Sequence, residues 1–135
     1  MPQLREYRVF VSHAWQYNSD YYTLVDWIEN SPNLWAKNYS VPKHDPLDAN
    51  NTPKLSAALT RQIGQANVIF AIAGMYAAYS GWIQYELDEA VRLQKNIVGI
   101  RPYGQQRTPE AISRVATEEI YWQRANVVAA VRKYG

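Results

Sequence analysis

Val68-Ile69-Phe70-Ala71-Ile72-Ala73 is an unbroken apolar run in a chain of 135 residues, and its reading decides the fold. A strand with one wet face alternates apolar and polar residues. A short run with no polar member predicts a central parallel strand covered on both faces. Upstream, Tyr7 to Ser12 reads as a first strand ending at the polar loop His13 to Asp20. Tyr21, Leu24, Val25 and Ile28 recur at helical spacing until Asn30-Ser31-Pro32. Asn38-Tyr39-Ser40-Val41 predicts a short second strand cut off by Pro42, and the charged, Asn-rich stretch 43–52 predicts a loop. Thr52-Pro53 is a helix start, with Leu55, Ala58, Leu59 and Ile63 as the buried stripe before Gly64.

Downstream of the run, a helix is expected from about Ser80 to Gln94, turning Ile83, Leu87, Ala90 and Val91 inward. Asn96 to Ile100 is the next strand, halted by Pro102 and Gly104. A weaker helix follows Thr108-Pro109, a short strand falls at Ile120-Tyr121-Trp122, and Gln123 to Lys133 closes the chain as a helix. Strands alternating with helices predict an α/β fold, a parallel sheet with helices on both faces. At this size the expectation is one domain over residues 1–135. Its architecture is a flavodoxin-like three-layer sandwich with five strands in the order 2-1-3-4-5. In that order the loops after strands one and three, Ser12 to Asp20 and Gly74 to Gly81, flank a topological switch point where open α/β sheets bind ligands.

Composition narrows the chemistry. There are no cysteines, which excludes disulfides, thiolate zinc sites and cysteine nucleophiles. His13 and His44 alone cannot form a three-histidine zinc site, so no metal is expected. A net charge of +2 without a basic block implies no nucleic-acid partner. No apolar run approaches a membrane span and the first residues lack a signal-peptide core, so the expectation is a soluble cytoplasmic domain. The 11 tyrosines and 5 tryptophans against 2 phenylalanines point to a cleft that grips something partly apolar and partly polar.

The switch point lacks the usual occupants' signatures. Ser12-His13-Ala14-Trp15 has no glycine for a dinucleotide or FMN phosphate turn, and the third strand ends without a receiver aspartate. What it offers is Trp82 and Glu86, four apart on one helix face, with Glu89 one turn further. A carboxylate beside an indole at a cleft mouth can bind ribose hydroxyls and balance a developing positive sugar carbon. The same spacing also describes a solvated glutamate beside a packing indole. Ser12, His13 and Trp15 stand where they could meet a phosphate, ribose or ring. Ser12 reads equally as a turn former and Trp15 as a lid on the core. His44 and Asp45 read as a surface salt bridge, a ligand contact or a subunit contact. A Ser12-His13-Asp45 hydrolase triad is opposed by geometry, because adjacent residues on a strand point to opposite faces.

Taken together, Val9-Phe10-Val11-Ser12-His13-Ala14-Trp15, Tyr39-Ser40-Val41-Pro42, Gly64-Gln65-Ala66-Asn67-Val68-Ile69 and Gly81-Trp82-Ile83-Gln84-Tyr85-Glu86 running on to Lys95-Asn96-Ile97-Val98-Gly99-Ile100 resemble a TIR domain. The resemblance covers nearly the whole chain and is greatest to the bacterial TIR-like group of Thoeris anti-phage defence. It implies an enzyme that cleaves the nicotinamide–ribose bond of NAD as substrate, with no separate cofactor, to make a linear, cyclic or conjugated ADP-ribose messenger. It further implies Glu86 as the catalytic carboxylate, Trp82 as its aromatic neighbour, and Ser12, His13 and Trp15 along the nucleotide. Trp122 would lie near the adenine. The 43–52 loop with Asp45 corresponds to the BB loop, through which self-association would complete the site, and the product would reach a separate effector protein. His44-Asp45-Pro46-Leu47 departs from the acidic-glycine stretch of animal and plant TIR domains. Two rival readings are a noncatalytic TIR interaction module and a nucleoside deoxyribosyltransferase, which shares the layout and uses a glutamate nucleophile.

Overall fold

The computed structural model describes residues 6–12, 19–31, 34–38, 60–72, 80–101 and 110–135. Strand β1 (Glu6–Ser12) leads to helix α1 (Ser19–Asn30) and strand β2 (Trp35–Asn38). A helical stretch over residues 60–65, α2, precedes β3 (Val68–Ile72), α3 (Ser80–Arg92) and β4 (Asn96–Arg101). Helix α4 (Glu110–Ser113), β5 (Glu118–Tyr121) and α5 (Arg124–Tyr134) complete the chain. The five strands form one sheet in the order β2-β1-β3-β4-β5, every neighbouring pair parallel. This is the expected flavodoxin-like architecture.

All five residues of β3 are buried, as its unbroken apolar run requires. β1 pairs along one edge of β3 with Val9 opposite Val68 and Phe10 opposite Ile69. β4 pairs along the other edge with Ile69 opposite Ile97 and Phe70 opposite Val98. Asn67 locks the start of this register: its amide donates to the Arg8 carbonyl, and its side-chain oxygen accepts from the Arg8 amide at 2.9 Å.

The connections sort the helices onto two faces. β1 to β2 steps one way across the sheet, whereas β2 to β3, β3 to β4 and β4 to β5 step the other. Right-handed crossovers therefore put α1 on one face and α2, α3 and α4 on the opposite one. Side chains agree. Thr60 of α2 hydrogen-bonds Glu89 of α3, Ile112 of α4 lies under Gly99 of β4, and α5 packs on α1.

Three boundaries differ from the sequence expectation. The second strand lies at Trp35–Asn38, overlapping the expected 38–41 only at Asn38; residues 39–41 lie outside the described residues. Buried Leu34 and Ala36 alternate with exposed Trp35 and Lys37, a period-2 signal muted by alanine and lysine, both poor strand formers. The last strand is Glu118–Tyr121, and Trp122 follows it. Helix α3 ends at Arg92 in a Schellman turn. Gln94 (φ 59°) occupies the left-handed position, its amide bonding the Val91 carbonyl while Lys95 bonds Ala90. No glycine announces that stop.

Val91 was expected inward and is 49% exposed. The buried arc of α3 is instead Glu86, Leu87 and Ala90, which turns Val91 to the rim. Leu87→Ala should therefore cost about 2–5 kcal/mol, and Val91→Ala less than about 0.5 kcal/mol. Urea unfolding of the two variants measures the contrast; equal losses would contradict this orientation of α3.

Candidate active site

Because every strand is parallel, Ser12, Ile72, Arg101 and Tyr121 finish at the same edge of the sheet. β1 and β3 are neighbours there, and their following connections diverge to opposite faces, which is the switch-point geometry. α3 runs back from this edge, so its early turns lie closest to the switch point.

Glu86 sits in the second turn of α3 and is 1% exposed. It shares the buried arc with Leu87 and Ala90, between α3 and the sheet. Withdrawing a carboxylate from water is costly, and a fold retains one under α3 only when something compensates. A solvated surface glutamate, the bland reading of the Trp82–Glu86 spacing, is thereby set aside. The α3 backbone places Trp82 one turn before Glu86, on the same flank of the helix. Ser12 ends β1 opposite Ala71 of β3. His13, Trp15 and Asp45, together with the 43–52 loop, lie outside the described residues.

Glu89, which the spacing made an extension of the same polar edge, has a different task. Its carboxylate accepts from the Thr60 hydroxyl at 2.7 Å, from the Tyr85 hydroxyl at 3.3 Å and from Arg92 Nε at 2.5 Å. The Thr60 and Tyr85 hydroxyls are themselves 2.7 Å apart. The Arg92 hydrogen bond first, then the Thr60 hydrogen bond, hold the Glu89 carboxyl down at about 2. This cluster clamps α2 against α3 about one turn along the helix from Glu86.

Trp122 and its neighbour divide between the two faces. Gly99 faces Ile112 of α4, so Arg101, two residues on, faces the same side. Tyr121 pairs with Arg101 and shares that side. Trp122 takes the other: its ring centroid is 5.0 Å from that of Trp27 on α1, in a tilted stack. The structure thus brings Trp122 to α1, across the sheet from Glu86. Arg101 and Tyr121, on the α3 side, went unnoticed in the sequence. The available signal was position alone: Arg101 is the one charged residue of β4 and ends it just before Pro102.

The sequence model described as "Thoeris protein ThsB, TIR-like domain" matches residues 10–107. The chain belongs to the Thoeris ThsB TIR-like family. No curated protein matches it in sequence. Among solved structures, the Clostridium botulinum CMP N-glycosidase BcmB is similar in fold, with a TM-score of 0.59 and 14% identity over 94% of this chain and 99% of that one. At that identity the likeness concerns the fold alone. Within this TIR-like chain the switch point, α3 and its buried Glu86 all fall inside the matched segment. Among the described residues no helix is long and apolar enough to cross a membrane.

Glu89→Gln should loosen the α2–α3 clamp, with a loss of about 1–2 kcal/mol at pH 7 for a charged hydrogen-bonded acceptor. Because its folded pKa of about 2 lies below the ordinary carboxylate value of 4.5, the carboxylate's contribution is fully present above pH 4.5 and fades as pH falls toward 2. Urea midpoints of wild type and variant should therefore converge across that window; a constant gap would show that the charge is not what holds the clamp.

Proposed function

We propose that this protein is an NAD-cleaving TIR enzyme producing an ADP-ribose-derived signal in anti-phage defence. The observation that carries the reading is the burial of Glu86 on α3 beside the switch point. Family membership supports it, and the fold neighbour is named for cutting an N-glycosidic bond in another nucleotide, CMP.

The chemistry suits one well-held carboxylate. Nicotinamide leaves NAD as a neutral base when the bond between its ring nitrogen and the anomeric carbon breaks, because that electron pair quenches the ring's positive charge. No general acid is needed. Positive charge passes to the ribose carbon and ring oxygen, and Glu86 balances it electrostatically while helping to hold the ribose hydroxyls. Water attacking the anomeric carbon, with loss of a proton, yields ADP-ribose. Attack by the adenine or by a ribose hydroxyl of the same molecule yields a cyclic product. In this reading Ser12, His13, Trp15 and Trp82 line the nucleotide. Asp45 and the 43–52 loop come from a neighbouring subunit, and the product carries the signal to a separate effector protein.

Purified wild-type and Glu86→Gln protein, incubated at high concentration with NAD, alone and with lysate from phage-infected cells, test this by mass spectrometry. Nicotinamide and an ADP-ribose derivative should appear with the wild type, and turnover should fall by about 10²–10³-fold or more in the variant. Glu86→Gln turning over at the wild-type rate would refute the role of Glu86. NAD left intact under both conditions would support the noncatalytic interaction module instead.

A further inference from the structure

We propose that Thr60 is a positioning residue for Glu86, fixing the rotation of α3 through its hydrogen bonds to Tyr85 and Glu89. The proposal rests on the reading of Glu86 as the carboxylate that serves NAD cleavage. Successive helical residues stand about 100° apart around the axis. Leu87 and Ala90 therefore lie to one side of Glu86 on α3, and Tyr85 and Glu89 to the other. The first pair is buried and the second half-buried. Glu86 thus stands between an apolar seam and a polar clamp. Among the described residues of α3, Leu87 is the one large apolar side chain that is fully buried. Apolar burial is non-directional, so a leucine and an alanine hold the helix down without fixing how it is turned. Hydrogen bonds have a preferred direction and supply what the seam lacks.

Of the four clamp residues, Thr60 alone lies outside α3. The Arg92–Glu89 ion pair joins two residues of one helix, so it cannot fix that helix against a neighbour. Thr60 can. Its hydroxyl donates to Glu89 Oε1 at 2.7 Å and, with its one proton so used, accepts from the Tyr85 hydroxyl 2.7 Å away. That double task needs a group that is both donor and acceptor. α2 is itself anchored: Ile63 is fully buried, and Lys95 Nζ donates to the Gly64 carbonyl at 3.0 Å. A side chain reaches about 5–6 Å from its helix axis, so turning α3 by about 10° would carry the Glu86 carboxylate about 1 Å. A displacement of that size, caused away from the chemistry, lowers turnover by about 10²-fold.

Thr60→Val keeps the shape of the side chain and removes its hydroxyl, whereas Thr60→Ser keeps the hydroxyl. Steady-state NAD cleavage, under the conditions in which the wild type turns over, should give a kcat about 10- to 100-fold lower for Thr60→Val with KM within about twofold. Thr60→Ser should recover kcat to within about threefold of the wild type. Because Thr60 acts through Glu86, adding Thr60→Val to Glu86→Gln should lower turnover no further. Val127→Ala opens the core beneath α5; it should lower the melting temperature at least as much and leave kcat unchanged. Circular dichroism and thermal melts establish that each variant is folded. Should Thr60→Val fail to fold, Tyr85→Phe, which removes only the phenol hydroxyl, carries the test in its place. A folded variant of either kind with wild-type kcat, a loss shared equally by Val127→Ala, or a further fall in the Glu86→Gln background would overturn the positioning role and leave the catalytic reading standing. Wild type that leaves NAD intact would overturn the catalytic reading, and this proposal with it.

Discussion

Burial of β3 on both faces is the constraint on which the rest of the structure depends. Val68 to Ile72 present no polar side chain, so the strand must have helices above and below and a strand on each edge. Once β3 is interior, β1 is forced to one side and β4 to the other. The two chain directions that leave this point then separate α1 from α3. The switch point between the ends of β1 and β3 is thus a consequence of covering five apolar residues. The buried carboxylate of Glu86 is hung beside it on the next helix.

That helix uses two carboxylates one turn apart for opposite purposes. Glu89 stands at the rim of α3, close enough to Thr60, Tyr85 and Arg92 to remain ionised to about pH 2. Its energy is local, and it ties α2 to α3. Glu86 faces inward at 1% exposure beside Leu87 and Ala90. It adds nothing to the core that an apolar residue would not supply better, since burying polar groups is a cost that packing alone does not return. The clamp and the buried carboxylate are complementary. A helix carrying an unfavourable inward group has its azimuth fixed by charged hydrogen bonds on its outer flank.

Much of this was legible in the sequence because periodicity is strong where burial is complete. β1, β3, β4 and the register of α1 followed from runs of valine, isoleucine and phenylalanine or from 3.6-residue spacing. The signal weakened where an element is an edge. β2 buries only its Ala36 side of the strand, and Trp35-Ala36-Lys37-Asn38 has little intrinsic preference for a strand. The stop of α3 was also silent, since Gln94 occupies a left-handed position that glycine normally marks. On the site, the spacing of Trp82 and Glu86 identified the helix flank. It could not rank Glu86 above Glu89 for burial, because both positions fit an amphipathic edge. Only the packing of Ile63, Leu87 and Ala90 beneath the helices makes that choice.

The end of β5 shows how one residue of strand parity separates a packed ring from an exposed one. Tyr121 and Trp122 are adjacent, both aromatic and both at the carboxyl edge, so composition treats them alike. Alternation sends Trp122 to α1, where it stacks on Trp27 and closes that face. The same alternation leaves Tyr121 beneath Arg101 on the side of α3. An indole is the larger apolar body and gains more from being covered. A phenol can remain half in water and still offer a ring to a guanidinium. The division between the two rings therefore follows from which face of the sheet has a helix to cover an indole and which leaves the ring in water.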